Sequence, residues 1–293
     1  MPVKLLSDFD GVWTDQALEA EVVKLCLTTE AAQLAGTPLD RAREDFSSFE
    51  SEVRARPDCF GWAPDGRIAA YVDEDPLCIS NAIASYIADQ KDDALTEPYR
   101  EAILASEFEN LNRFADACFR RAMEEFRNEH PPTLVPQAAS VIEELRAADV
   151  EIVIVSNSPV EKIASWFSEV GVDAGGGSGH AIRVRGEAGK QKIGLTDECI
   201  QVGGRPVYVD RPDYSEVVLG EDPDVVIGDV FSLDLALPLV LRDAGIREAP
   251  EILVLRKHPH TPEWVLGLSD EGSINHVIGG VEGLLEILEG VGR

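Results

Sequence analysis

Apolar positions along this chain follow two different periods. A short, nearly continuous apolar run at 150–156 fits a strand covered on both faces, and the stretches at 3–7, 225–227, 252–255 and 274–278 are read as strands with it. Shorter runs at 181–185, 192–195 and 206–209 also read as strands. Helical spacing of apolar residues predicts helices at 17–27, 38–56, 76–90, 98–127, 138–147, 160–170, 213–219, 233–244 and 281–288. Pro38, Pro76 and Pro98 each suit a first helical turn, with Thr37 as a cap before the first of them. Between the second and third helices, Pro57, Gly61, Pro64-Asp65-Gly66 and an alternating stretch at 68–72 predict a small hairpin. Pro131, Pro132 and Pro136 mark a linker. The glycine run at 175–179 lacks the Gly-Lys-Ser/Thr of a phosphate-binding loop and reads as a connection.

Strand and helix alternate throughout the second half, but one strand stands alone before a long helical stretch. That order predicts an α/β fold: a doubly wound parallel sheet carrying an inserted, mainly helical domain. Residues 1–15 and 136–293 form the core in this reading, and 16–135 form the insertion. The first strand must pair within the sheet built by the second half.

Composition narrows the functional classes. The 293 residues are 44% hydrophobic, enough for a substantial core. The formal charge is −28. Affinity for nucleic acid comes largely from Lys and Arg neutralising phosphates, so no nucleic-acid partner is expected, and anionic membranes would repel the chain. No apolar run approaches the ~20 residues that span a bilayer. Cys26, Cys59, Cys78, Cys118 and Cys199 are scattered and odd in number, which argues against a disulfide framework or a zinc site. With no apolar leader before the first strand, a cytoplasmic protein is expected.

The candidate chemistry begins where the first strand stops, at Asp8-Phe9-Asp10-Gly11. Asp-Gly after a strand is by itself an ordinary turn. A calcium loop would use Asp8, Asp10 and Glu19, but it needs glycine where Trp13 stands. Ligands of open α/β sheets bind outside the carboxyl ends of strands, so two carboxylates there point into the usual place for chemistry. Three later segments are of the same kind. Ser156 ends the 150–156 strand. Arg211-Pro212-Asp213 puts a cation at a helix start, with Lys190 a second candidate for that cation and Lys192 a third. Gly228-Asp229 ends the 225–227 strand, and Asp234 follows Asp229 after four residues.

In this order the segments resemble the four motifs of the haloacid dehalogenase (HAD) superfamily: DxDGxxT, a strand-end Ser/Thr, a Lys/Arg, and GDxxxxD. The insertion of about 115–120 residues resembles that superfamily's C1-type cap. The resemblance implies a Mg²⁺-dependent phosphomonoester hydrolase acting on a small phosphorylated metabolite. It makes Asp8 the nucleophile, forming an aspartyl-phosphate, and Asp10 the acid and base. Ser156 and Arg211 or Lys190 would bind phosphoryl oxygens. The metal would be held by Asp8, the Asp10 carbonyl and Asp229, with Asp234 at one remove. Thr14 would support the loop. Asp10 favours phosphoryl chemistry over carbon–halogen cleavage. A phosphonatase would take a Schiff-base lysine from the cap, where only Lys24 and Lys91 offer themselves. Arg41, Arg43, Arg54, Arg56 and Arg67 read as solvated helix faces, and Phe60, Trp62 and Tyr71 as cap packing. A phosphomutase of the same superfamily and a non-catalytic binding module on the same fold are the competing readings.

Overall fold

The computed structural model describes residues 2–291. The chain divides into two compact units. One combines the residues up to Asp15 with those from Pro132 on, and the other is Gln16–Pro131.

The first unit opens with β1 (Val3–Ser7). The second unit follows in full: α1 (Ala17–Ala35), α2 (Leu39–Ala55), β2 (Gly61–Trp62), β3 (Ala70–Tyr71), α3 (Ile79–Asp89), α4 (Glu97–Leu104) and α5 (Leu111–Glu129). The chain then returns to the first unit through α6 (Ala138–Ala147), β4 (Val150–Val155), α7 (Val160–Glu169), β5 (Ala174–Gly175) and β6 (Ile182–Arg185). A hairpin follows, β7 (Cys199–Val202) and β8 (Arg205–Tyr208), and then α8 (Pro212–Glu221) and β9 (Val225–Gly228). The last elements are α9 (Ala236–Asp243), β10 (Ile252–Arg256), α10 (Glu263–Asp270), β11 (His276–Ile278) and α11 (Gly283–Val291).

Seven strands form one parallel sheet in the order β11-β10-β9-β1-β4-β6-β5. Leu5 lies opposite both Ile152 and Val225. These three, with Ile154, Ile227 and Val254, pack against Val141 and Leu145 of α6, Ile163 and Phe167 of α7, and Leu284 and Leu288 of α11. Their chain neighbours Leu6, Val153, Val226 and Leu253 are also buried, because successive strand side chains point to opposite faces. A strand buried on both faces belongs in the middle of a sheet. β1 sits there, and its carboxyl end lies between those of β4 and β9.

The inserted unit has its own core. Leu27 and Ala31 of α1, Phe46 and Phe49 of α2, Ile83 and Ile87 of α3, Tyr99 of α4, and Phe114 of α5 meet in it. The Tyr99 hydroxyl donates to Asp45 at 2.7 Å, so this buried phenol keeps a partner.

Several boundaries differ from the pattern-based expectation. The helix expected at 98–127 is two helices, because Asn110 is extended (φ −157°) and caps α5 by accepting from the Arg113 amide at 2.9 Å. α1 runs on to Ala35 and stops at Gly36, whose left-handed φ of 63° ends the helix. Pro38 takes the cap position expected for Thr37. Residues 192–195 form no strand. The strand partner of β8 is instead Cys199–Val202, paired across Gly203 and Gly204, both at positive φ. Residues 231–235 form a turn of π-helix before α9. α10 and β5 have no counterpart among the expected elements. Among the described residues no helix is long and apolar enough to cross a membrane.

Glu221 ties α8 to β6. Its buried carboxylate accepts from Arg183 Nη2 at 2.6 Å and from Arg185 Nε at 2.7 Å. Burial opposes its ionisation, but the hydrogen bonds from Arg185 and Arg183 outweigh that and hold its pKa below the ordinary Glu value. A depressed native pKa stabilises the fold above the unfolded-state pKa, and this is lost as pH falls through the native value. Glu221→Gln is therefore expected to cost about 1–2 kcal/mol at pH 7, and the gap from wild type should shrink toward pH 3. Denaturant unfolding at both pH values measures it. A gap that is the same at both would show that the carboxylate charge is not what holds α8.

Candidate active site

The loop after β1 is held by its own hydrogen bonds. Ser7 Oγ accepts from Trp13 Nε1 at 2.8 Å and donates to the Asp8 carbonyl at 2.7 Å. The Asp8 amide donates to the Ile227 carbonyl at 2.9 Å, which fixes it against β9. Thr14 Oγ1 accepts from the Gly11 amide at 3.1 Å and closes the turn. Gly11 has φ +80°, and a Cβ there would lie 1.9 Å from Asp229 Oδ2. Glycine is thus required twice over, by the backbone and by the carboxylate beside it. From the end of β10, Arg256 donates to the carbonyls of Gly11 (2.6 Å) and Val12, while His258 Nε2 lies 2.9 Å from the Gly11 carbonyl and 3.4 Å from Asp229.

One side of the pocket is a carboxylate cluster. Asp8, Asp229 and Asp234 each offer an oxygen, all within 4.8 Å of one another. Two unit charges at that distance repel by on the order of 3 kcal/mol at an effective dielectric near 20. Burial raises the Asp8 pKa well above the ordinary carboxylate value; Asp234 raises it further, Lys190 lowers it, and Asp229 and Asp10 raise it again. Lys190 Nζ is 2.6 Å from Asp8 Oδ1 and 2.8 Å from Asp234 Oδ1. Burial disfavours its ammonium, but Asp234 and Asp8 outweigh burial and raise its pKa. Asp234 is further held by the Val230 amide at 3.1 Å, and its carbonyl accepts from the buried Tyr214 hydroxyl at 2.8 Å. The π-turn brings Asp234 back over the end of β9, and Gly228 leaves it room: a Cβ there would sit 2.2 Å from Asp234 Cβ. Crowded oxygen donors of this kind suit a small hard cation, which would relieve the repulsion that Lys190 only partly offsets.

The other side belongs to Asp10. Its Oδ2 accepts from Ser156 Oγ (3.1 Å) and Ser158 Oγ (2.9 Å), and its Oδ1 from Lys162 Nζ (2.8 Å). Burial would raise the Asp10 pKa, but Lys162 and the two hydroxyls outweigh it and leave the pKa lowered. The Asp10 side chain is outside the three-carboxylate cluster.

The structure thus brings together Asp8, Asp10, Ser156, Lys190, Asp229 and Asp234. It reverses the expected order of the two cations. Arg211, the first candidate, is buried and donates to the carbonyls of Tyr208 (3.1 Å), Ser232 (3.3 Å) and Lys190 itself. It braces the backbone that presents Lys190, and the ammonium on Asp8 is Lys190's. Lys192 pairs with the exposed Asp213 at 2.8 Å. Asp234, expected at one remove from the metal, offers its oxygen as closely as the other two. Lys162, Ser158, Arg256 and His258 were not singled out by the sequence. Lys162 lies in the first turn of a helix, where a cation reads as a solvated face.

The inserted unit accounts for most of its own candidate residues. Arg41, Arg43, Arg54 and Arg67 form ion pairs with Asp45, Asp40, Glu50 and Asp65. Phe60 and Tyr71 are buried, and Trp62 packs edge-on against Phe119. Lys24 bridges Glu21 (3.0 Å) and Glu50 (3.1 Å). Its partial burial is outweighed by these two carboxylates, so its pKa is raised, opposite to what a Schiff-base lysine needs.

No protein-family model matches the chain, and no curated protein matches it. Among solved structures it is similar to YfnB of Bacillus subtilis bound to magnesium, with 12% identity, 98% of this chain and 99% of that chain covered, and TM-score 0.43. It is similar to CbbY of Rhodobacter sphaeroides in complex with phosphate, with 12% identity, 96% and 95% covered, and TM-score 0.46. It is similar to a 2-haloacid dehalogenase of Pseudomonas syringae, with 14% identity, 99% of each chain covered, and TM-score 0.42. Likenesses this distant carry no assignment of activity.

Gly11→Ala is expected to destabilise the chain by about 1–3 kcal/mol, since the added methyl must displace the Asp229 carboxylate from its place or bend the loop. Chemical denaturation measures the loss. A neutral substitution would mean that the loop is not pinned against Asp229 as described.

Proposed function

We propose that the chain is a Mg²⁺-dependent phosphomonoester hydrolase of the HAD type, working through an aspartyl-phosphate on Asp8. The observation that carries this reading is the division of the site into two halves. A three-carboxylate cluster carries one lysine, and a separately held aspartate carries another. Burial and the neighbouring carboxylates raise the Asp8 pKa, so its ionisation as a nucleophile calls for added positive charge, which a cation held by the cluster would supply.

The geometry is compatible with the following roles. Asp8 is the nucleophile, and its attack on phosphorus splits one hard displacement into two easier ones. Lys190, which already bridges Asp8 and Asp234, orients the nucleophile and offsets charge as the phosphoryl group arrives. Asp8, Asp229 and Asp234 would hold the Mg²⁺, which supplies charge neutralisation toward the phosphoryl oxygens. Ser156, at the end of β4, donates to the Asp10 carboxylate and sets its direction. Asp10 protonates the leaving oxygen and then takes a proton from the attacking water. Its lowered pKa suits the second half directly. The first half requires it to carry a proton while the ester bond breaks. The inserted unit occupies the chain position of a C1-type cap and is read as the part that restricts the substrate to a small phosphorylated metabolite.

p-Nitrophenyl phosphate hydrolysis is expected to require Mg²⁺ and to fall by at least about a thousandfold in Asp8→Asn. Acid-quenched protein should carry a labelled phosphoryl group in the wild type and none in the variant. Activity that survives Asp8→Asn would overturn the nucleophile assignment. Lys190→Met should lower kcat by about a hundredfold, whereas Arg211→Met should act chiefly on stability, seen as a lowered Tm. Equal losses of kcat at unchanged Tm would restore Arg211 as a participant.

A further inference from the structure

Lys162 is only 9% exposed. It stands in the first turn of α7, where the helix dipole disfavours a cation. Burial disfavours it as well, and a buried lysine is rare unless paired. Two unfavourable placements at one residue need a specific compensation. The compensation is Asp10. Nζ lies 2.8 Å from Asp10 Oδ1 and 3.1 Å from Ser158 Oγ, with the rings of Trp166 and Phe9 at 5.5 and 6.0 Å. Helical side chains lean toward the helix N-terminus, so a lysine in this first turn reaches back to the strand ends. The buried Asp10 carboxylate needs a charged donor at that position, and an apolar side chain there would take that charge away from it.

What the charge adds is direction. Ser156 and Ser158 both donate to Asp10 Oδ2, and Lys162 donates to Oδ1. Hydroxyls rotate and can follow a carboxylate that turns. An ammonium that also donates to Ser158 and lies over two aromatic rings is held more closely. With donors on both oxygens, the carboxylate is held against rotation.

We propose that Lys162 is a positioning residue that fixes the Asp10 carboxylate for proton transfer to and from the reacting oxygens. The role rests on the phosphatase reading above. Lys162 touches no substrate in this role. It acts through Asp10, with Ser158, just before α7, as the second anchor.

A role of this kind has a signature that loss of fold does not share. Proton donation matters most for esters whose leaving oxygen is strongly basic. The test compares kcat/KM, which reports the steps through phosphoryl transfer, for phenyl phosphate and p-nitrophenyl phosphate. In Lys162→Met, kcat/KM should fall by about a hundredfold for phenyl phosphate and by less than about fivefold for p-nitrophenyl phosphate. Lys162→Arg, which keeps a donor over the same rings, should recover most of the phenyl phosphate activity. Ser158→Ala should show the same leaning toward the better leaving group, to a smaller degree. If Lys162→Met fails to fold, Lys162→Arg and Ser158→Ala decide the matter between them. Equal losses on the two esters overturn the role, as does a folded Lys162→Arg no better than Lys162→Met. A wild-type chain inert toward both esters overturns the phosphatase reading itself, and it is recognised in the wild-type lane before any variant is compared.

Discussion

Four aspartates converge where the parallel strands end, and the repulsion among them organises the rest of the site. Three offer oxygens within 4.8 Å of one another, Asp229 and Asp234 buried and Asp8 half-buried. Such a group cannot remain ionised unless cations stand among it. Lys190 supplies one charge to Asp8 and Asp234, and Lys162 another to Asp10. The neighbouring structure then serves those cations. Arg211 holds the Lys190 carbonyl, and Asn157 accepts the Lys190 amide at 2.8 Å. Tyr214 lies 5.5 Å from the Lys190 ammonium and donates to the Asp234 carbonyl. Gly11 and Gly228 leave open the spaces that the carboxylates of Asp229 and Asp234 fill.

The placement of the two lysines also divides the labour. Asp8 stays hard to ionise without further positive charge, because burial and Asp234 outweigh Lys190. Asp10 stays ionised despite burial, because one ammonium and two hydroxyls face it. The same residue type in neighbouring positions of one loop therefore acquires two opposed characters. Neither character belongs to the loop alone. Asp8 takes its own from β9 and the turn after it, and Asp10 takes its own from β4 and the first turn of α7.

Rigidity follows the same plan. β1 pairs on both sides, and its loop is pinned by Ser7, Trp13 and Thr14 from within and by Arg256 and His258 from β10. A carboxylate with the role proposed for Asp8 gains from such fixing, because a displacement of about 1 Å is enough to cost about a hundredfold in rate.

The sequence by itself determined the α/β class, the pairing of an isolated first strand with strands more than a hundred residues later, and the carboxylates and serine at the strand ends. Apolar runs buried on both faces, and polar residues where they stop, are local patterns that survive any detail of packing. Only the tertiary structure decided which cation meets Asp8. Arg211 and Lys190 are both cations near a loop, and their separation into brace and partner depends on which one finds carbonyls and which finds carboxylates. Lys162 shows the limit most clearly. In the sequence it is a charge in a helix, and its partner is 152 residues away. The break at Asn110, the hairpin across Gly203 and Gly204, and the π-turn carrying Asp234 were lost for a related reason. Each depends on a single residue's backbone angle or on a backbone amide finding a side-chain oxygen within the same turn, and apolar periodicity records neither.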